Sequence, residues 1–292
     1  ILLLLASVIG MLAGGVRRLL LGRALTLGAV PVPAQAAPAH RQSVWIPLVC
    51  LGLLLLMVLA GYGRDPLSSD YVRLQPPSFG LPFGADAMGR DLLARVAHGT
   101  LNTCLQALVV SLICLAIGVI VGAFPRAMTG PTEVTNALPP VIAGLVVAAL
   151  NGPTATGAIV AVTAVSWAPL AAHTAALVAE IQARPYMKML PVVGVGAVRR
   201  TLFYVLPALS GPLVRHAMLR LPGIALALAS LGFLGLGAPP PVPEWGRVLA
   251  EGMPYIERAG WSVFAPAAAL AVLSVMAVTL SSLRWKKSSM AH

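Results

Sequence analysis

Residues Arg184–Pro207 read RPYMKMLPVVGVGAVRRTLFYVLP and set Arg184, Lys188, Arg199 and Arg200 between two long apolar stretches. Each flanking stretch, Thr154–Ala179 before it and Gly211–Leu231 after it, is long enough to cross a lipid core, which takes about 20 residues of helix. In lipid, backbone polar groups must be satisfied inside a helix or a closed barrel. The apolar runs here are continuous rather than alternating, so helices are expected. The whole chain agrees: its 292 residues are 58% hydrophobic and 10% charged, with mean hydropathy +0.88. Such a composition excludes a water-soluble domain and predicts an all-α integral membrane protein.

Working outward, the sequence divides into spans and polar connections. Toward the N-terminus lie Thr154–Ala179, the short apolar segment Ala137–Leu150 behind Pro139-Pro140, the inner turn FPRAMTGPTE, Thr100–Phe124, and Trp45–Tyr62. Toward the C-terminus lie Gly211–Leu231, expected to bend at Pro222, and Trp261–Leu283, followed by Arg284, Lys286 and Lys287. Residues 1–22 open on a further apolar run, ILLLLASVIGMLAGG. Its charges Arg17, Arg18 and Arg23 follow the run, where a secretory signal would carry them in front. An additional N-terminal transmembrane helix is therefore expected at 1–22, with a Pro/Ala linker at 23–44. It is expected either as an added seventh helix or as the tail of a fused partner.

The net charge of +11 is not spread evenly. In this layout the segments on the side of Arg184–Pro207 hold twelve Lys/Arg and two acids. Those on the other side hold six and seven, and two arginines lie in a span. This is the positive-inside pattern. It places residues 183–207 and the C-terminus in the cytoplasm, places 64–99 and 232–260 outside, and removes the need for a nucleic-acid partner. Cys50, Cys104 and Cys114 sit in apolar runs as small core residues. Within 64–99, Asp86 is expected to cap a short helix that ends at Gly99, with an Asp91–Arg95 pair along it.

Three motifs carry a resemblance. Pro82–Gly99, PFGADAMGRDLLARVAHG, holds Phe83, Gly84, Asp86, Gly89, Arg90, Asp91 and Arg95 in the pattern Phe-Gly-x-Asp-x-x-Gly-Arg-Asp-x-x-x-Arg. Leu231–Gly252, LGFLGLGAPPPVPEWGRVLAEG, holds Phe233, Gly235, Gly237, Pro241, Pro243, Trp245 and Gly246 as Phe-Leu-Gly-x-Gly-x-x-x-Pro-x-Pro-x-Trp-Gly. Between them, Gly194 precedes Leu206-Pro207 at a docking-loop spacing. The chain over 45–285 thus resembles the second, C-type permease of the dipeptide/oligopeptide/nickel ABC importers. It departs from them in three places: Lys188, Met189 and Leu190 stand where Glu-Ala-Ala is usual, Leu228 replaces an acid, and Ser281-Ser282 replaces Gly-Asp.

The resemblance implies a six-helix permease bundle in the bacterial cytoplasmic (inner) membrane. It also implies the partners: a homologous second permease, two ATPase subunits held by the docking loop, and an external substrate-binding protein that meets the 232–260 loop. The same basic residues could serve only as juxtamembrane anchors, and Trp245-Gly246 as an interfacial anchor and turn. ATP and Mg would be bound by the partner ATPases: no Gly-x-x-x-x-Gly-Lys-Ser/Thr occurs, and GVGAVRRT at 194–201 lacks its second Gly and its Lys. The cargo stays open between peptide and metal chelate. A permease that has lost coupling is the variant suggested by the altered Glu-Ala-Ala positions.

A membrane-embedded enzyme is the competing class. It would need a nucleophile–base pair or a metal set in the spans, and no His-Glu-x-x-His, Gly-x-Ser-x-Gly or mid-span acid is present. Arg215, His216 and Arg220 are ionisable groups within the span Gly211–Leu231. They are pathway candidates because charge at mid-span is costly; Arg215 could instead snorkel to the surface. His173 and His216 alone make a poor metal site.

Overall fold

A computed structural model describes residues 44–123 and 125–282, and every regular element among them is a helix. In chain order these are α1 (Trp45–Tyr62), α2 (Leu92–Gly122), α3 (Pro125–Asn136), α4 (Pro140–Asn151), α5 (Ala155–Ser166) and α6 (Ala168–Ala183). They continue with α7 (Pro185–Met189), α8 (Ala197–Arg200), a π-turn (Thr201–Val205), α9 (Leu206–Phe233), α10 (Trp245–Gly252) and α11 (Trp261–Ser282). The expected helix at 1–22, most of the linker, and the anchors Arg284, Lys286 and Lys287 lie outside the described residues.

Among the described residues, five stretches are long and apolar enough to cross a membrane: α1, α2, α5 with α6, Ala197–Phe233, and α11. The sixth expected span takes a different form. Gly130–Asn136 and Pro140–Asn151 meet at 89°, because Pro139 and Pro140 cannot continue the helical bonding of α3. From Pro125 on, the inner turn expected at FPRAMTGPTE is itself helical. Thr154–Ala179 divides at Trp167, just ahead of Pro169 at the start of α6.

The largest correction concerns α2. Asp86 does not cap a short helix. Asp91 is the cap, accepting from the backbone N–H of Leu93 at 2.8 Å and Ala94 at 3.2 Å, and α2 then runs 31 residues without stopping at Gly99. Gly99 lies inside this helix, and its missing side chain leaves room for Trp245: an added Cβ would lie 3.2 Å from Trp245 Cδ1.

The main core lies between α2, α9 and α11 and is filled by Leu92, Val96, Val110, Leu170, Leu228, Trp245 and Leu273. Lipid offers no hydrophobic drive between helices, so close backbone approach carries much of the packing. On α2, Gly118 and Gly122 make that approach to α6, and a Cβ at Gly118 would come within 2.7 Å of Leu170 Cβ. A second, smaller core of Val178, Ile181, Met187, Val205, Leu209 and Leu213 ties the 184–207 segment to α6 and α9. The three cysteines are free, as two buried and one half-buried thiol.

Candidate functional sites at the two ends of α9

At the start of α9 lies the 184–207 segment. Arg184 caps α6 and pairs with Glu180 at 3.0 Å. After α7 the chain turns at Gly194, whose φ of +82° is costly for any residue with a Cβ. Met187 at 3% exposure and Val205 at 4% are the fully buried side chains that hold this segment to the bundle, and Leu190 and Tyr204 pack on the same core. Most of the rest faces outward: Lys188, Met189, Gly194, Arg199 and Leu206 are exposed, with Leu190, Arg200 and Pro207 half-buried. Tyr186, Met189, Val192, Val193, Val198 and Leu202 add a broad apolar surface to it. Val198, Leu202 and Val205 are divided between the two faces, with Val205 inside and the other two outside.

At the far end of α9 the two glycine-rich motifs meet. Asp86 Oδ2 accepts from Arg90 Nε and Arg95 Nη1, each at 2.7 Å, and Asp86 Oδ1 accepts from the backbone N–H of Met88 and Arg90. Glu251 of α10 closes the cluster. Its Oε2 accepts from Arg90 Nη2 at 2.7 Å and Arg95 Nη1 at 2.6 Å, and its Oε1 from Arg247 Nε at 3.1 Å. The local pair expected between Asp91 and Arg95 does not form as an ion pair. Asp91 Oδ2 instead accepts from Arg64 at 2.8 Å. Glu251 and Arg247 were not foreseen, and the i,i+4 spacing of Arg247 and Glu251 was the only signal that could have raised them.

Opposite charges set the protonation of this cluster. Burial works against the Asp86 carboxylate, but the Arg90 backbone N–H and the Arg95 charge outweigh it and hold the carboxyl below its ordinary value. Burial likewise opposes Glu251, and the charge of Arg95 and its hydrogen bond bring that carboxyl down. Gly84 and Gly89 shape the loop around Asp86 with φ of +74° and +78°, and a Cβ at Gly89 would run into Tyr71 O. Phe83 is half-buried and packs on the main core.

The second motif folds over the same end. Trp245 is completely buried, its Nε1 donating to Val96 O at 3.3 Å. That placement removes it as an interfacial anchor or a contact residue for an outside partner. Gly246 lies so close to α9 that a Cβ would strike Ala229 O. Gly237 abuts Glu244, which accepts from Gln106 Nε2 at 2.6 Å. Pro243 is buried, whereas Phe233, Gly235 and Pro241 are exposed. In α9 itself Arg215 is exposed and His216 and Arg220 are half-buried. The His216 ring stacks on His173 of α6, with centroids 4.1 Å apart. No group of three or more His, Cys, Asp or Glu suited to a metal ion occurs among the described residues.

A helical bundle with an exposed segment at one end of α9 and a closed ionic cap at the other is matched over residues 3–284 by the family model described as binding-protein-dependent transport system inner membrane component. The chain belongs to this family. The permease is 36% identical over 278 residues to the di/tripeptide transport system permease protein DppC of Pseudomonas aeruginosa, covering 85% of this chain and 91% of that protein. It is 31% identical over 249 residues to the peptide transport system permease protein SapC of Escherichia coli, covering 79% and 83%. The dipeptide transport system permease protein DppC of Haemophilus influenzae is 29% identical over 248 residues, covering 80% and 83%. The permease is thus a multi-pass inner-membrane transport subunit rather than a membrane-embedded enzyme, and the ATPase of such systems is a separate component.

Proposed function

We propose that the permease forms half of the pathway of a peptide importer. It would pair with a homologous second permease and be driven by two ATPases that grip residues 184–207 in the cytoplasm, with cargo delivered from outside by a binding protein. The observation that carries this is the outward apolar and basic surface of 184–207, on a segment anchored to the smaller core by Met187 and Val205 with Leu190 and Tyr204 packed beside them. A surface of that kind suits a protein partner. Peptide is favoured over metal chelate because the relatives named above are peptide systems. The positive-inside charge distribution supports a cytoplasmic C-terminus.

Mechanically, ATPase closure would move the docking segment against α6 and α9, and the spans would tilt between inward- and outward-open states. Deleting Val195–Thr201, or replacing Gly194 with Val, is expected to abolish peptide uptake and to release ATPase activity from transport. Normal uptake by these variants would overturn the docking assignment. Co-purification separates a working subunit, which brings down an ATPase, from one that has lost coupling.

A further inference from the structure

Arg220 stands fourteen residues after Leu206 and thirteen before Phe233, the ends of α9. At 1.5 Å per residue it lies about 20 Å from either end, too deep for its head group to snorkel to the surface. A charge at that depth faces protein or water rather than lipid. Among the described residues no carboxylate lies within ion-pair distance of it. His216 is one turn away on the same face, and its Nε2 is buried with no hydrogen-bond partner. The His173 ring backs it in a near-parallel stack, with 16° between the planes. His173 is ten residues from the end of α6 and His216 ten from the start of α9, so both rings sit about 15 Å from the docking segment.

The site therefore gathers a forked cationic donor, an imidazole nitrogen without a partner and a stacked second ring at mid-membrane, with no anion beside them. We propose that Arg220 and His216, oriented by His173, form a carboxylate-binding station half-way along the pathway, which takes the α-carboxylate of the passing peptide. The guanidinium fork matches a carboxylate in two parallel hydrogen bonds, and His216 Nε2 supplies a third when it carries a proton. Arg220 and His216 are each half-buried, so the station is partly open, while His216 Nε2 itself is covered in this conformation and its bond to a carboxylate would form as the spans tilt. The identity of the ligand rests on the peptide-import reading above.

The test compares uptake of tri-alanine and tri-alanine amide by the complete transporter with its binding protein in proteoliposomes. Arg220→Gln is expected to lower the acid-to-amide uptake ratio about tenfold relative to the unaltered protein, and Arg220→Lys to lower it less. An unchanged ratio overturns the station, whether both uptakes fall together, as they would if Arg220 paired with an acid of the second permease, or neither falls. A second measurement does not depend on transport: the imidazole nitrogens of His216, isotope-labelled in the assembled complex, are followed while propionate or propionamide is added. The His216 signal is expected to move with propionate alone and to stop moving in Arg220→Gln; no movement overturns the station. If the unaltered complex imports neither peptide, the peptide reading fails and the propionate titration alone decides the carboxylate site.

Discussion

Arg95 and Glu251, 156 positions apart in the chain, meet at 2.6 Å and join the start of α2 to the end of α10. Arg95 is 1% exposed, and its Nε and Nη2 reach no acceptor among the described residues. Its charge is therefore balanced through Nη1 alone, by Asp86 and Glu251 together. Removing one partner of a buried ion pair strands the other, at a cost of about 3–5 kcal/mol. Glu251→Leu and Arg95→Met are each expected to destabilise the purified protein by about 3 kcal/mol. The double variant is expected to lose clearly less than the sum. Thermal unfolding in detergent measures all three, and additive losses would show that the pair is not coupled.

The depressed carboxyls give the same cluster a pH signature. A group whose folded pKa lies below its unfolded value contributes stability that is present above the unfolded value and lost as pH falls through the folded one. For Asp86 and Glu251 the ordinary values are 3.8 and 4.5. Their contribution is expected to be complete at pH 6 and to fade below about pH 4. Asp86→Asn with Glu251→Gln is expected to flatten the fall of Tm across that acid range while lowering Tm at pH 7. An equally steep acid limb in the double variant would assign the effect to other groups.

Gly246→Ala tests how tightly α10 lies on α9. The added methyl meets Ala229 O of the backbone, which has no rotamer to yield, so the two helices must separate. Overpacking of this kind costs about 1–3 kcal/mol. Gly52→Ala is the control, since nothing lies within 4 Å of its Cβ position. The expected result is a lowered Tm for the first and an unchanged Tm for the second.

At the docking segment, Val198 is 73% exposed and Val205 is 4% exposed. Val198→Asp is therefore expected to leave folding intact within about 0.5 kcal/mol and to lose ATPase co-purification. Val205→Ala, which empties part of the smaller core, is expected to cost about 1–2 kcal/mol instead. If Val198→Asp retained its ATPase at full yield, the exposed patch would not be the contact.

The five long spans and the order of the motifs are legible in the sequence, because apolar runs and turn residues are local signals. What the sequence hides is decided at a distance. Asp86 looks like a helix cap and Asp91 like a partner for Arg95; Asp91 caps the helix instead, and Arg90 and Arg95 claim Asp86 for the cluster that Glu251 closes. Gly99 looks like a stop, yet Trp245 needs the space that its missing side chain leaves. Trp245 itself looks like a membrane-interface anchor, until α10 is folded against α2 and buries it completely. The family motifs at this end are thus readable as a pattern, but their physical purpose appears only when α2 and α10 are brought together.

The π-turn at Thr201–Val205 joins α8 to α9 in a continuous helical path from Ala197 to Phe233. One residue more or less in an α-helix changes its phase by about 100° without breaking it, and a π-turn is where such an extra residue is accommodated. The azimuth of Arg199 and Arg200 is therefore not dictated by that of His216 and Arg220, although all four sit on one rod. A sequence change confined to five residues can re-aim the surface proposed to meet the motor and leave the proposed carboxylate station where it was.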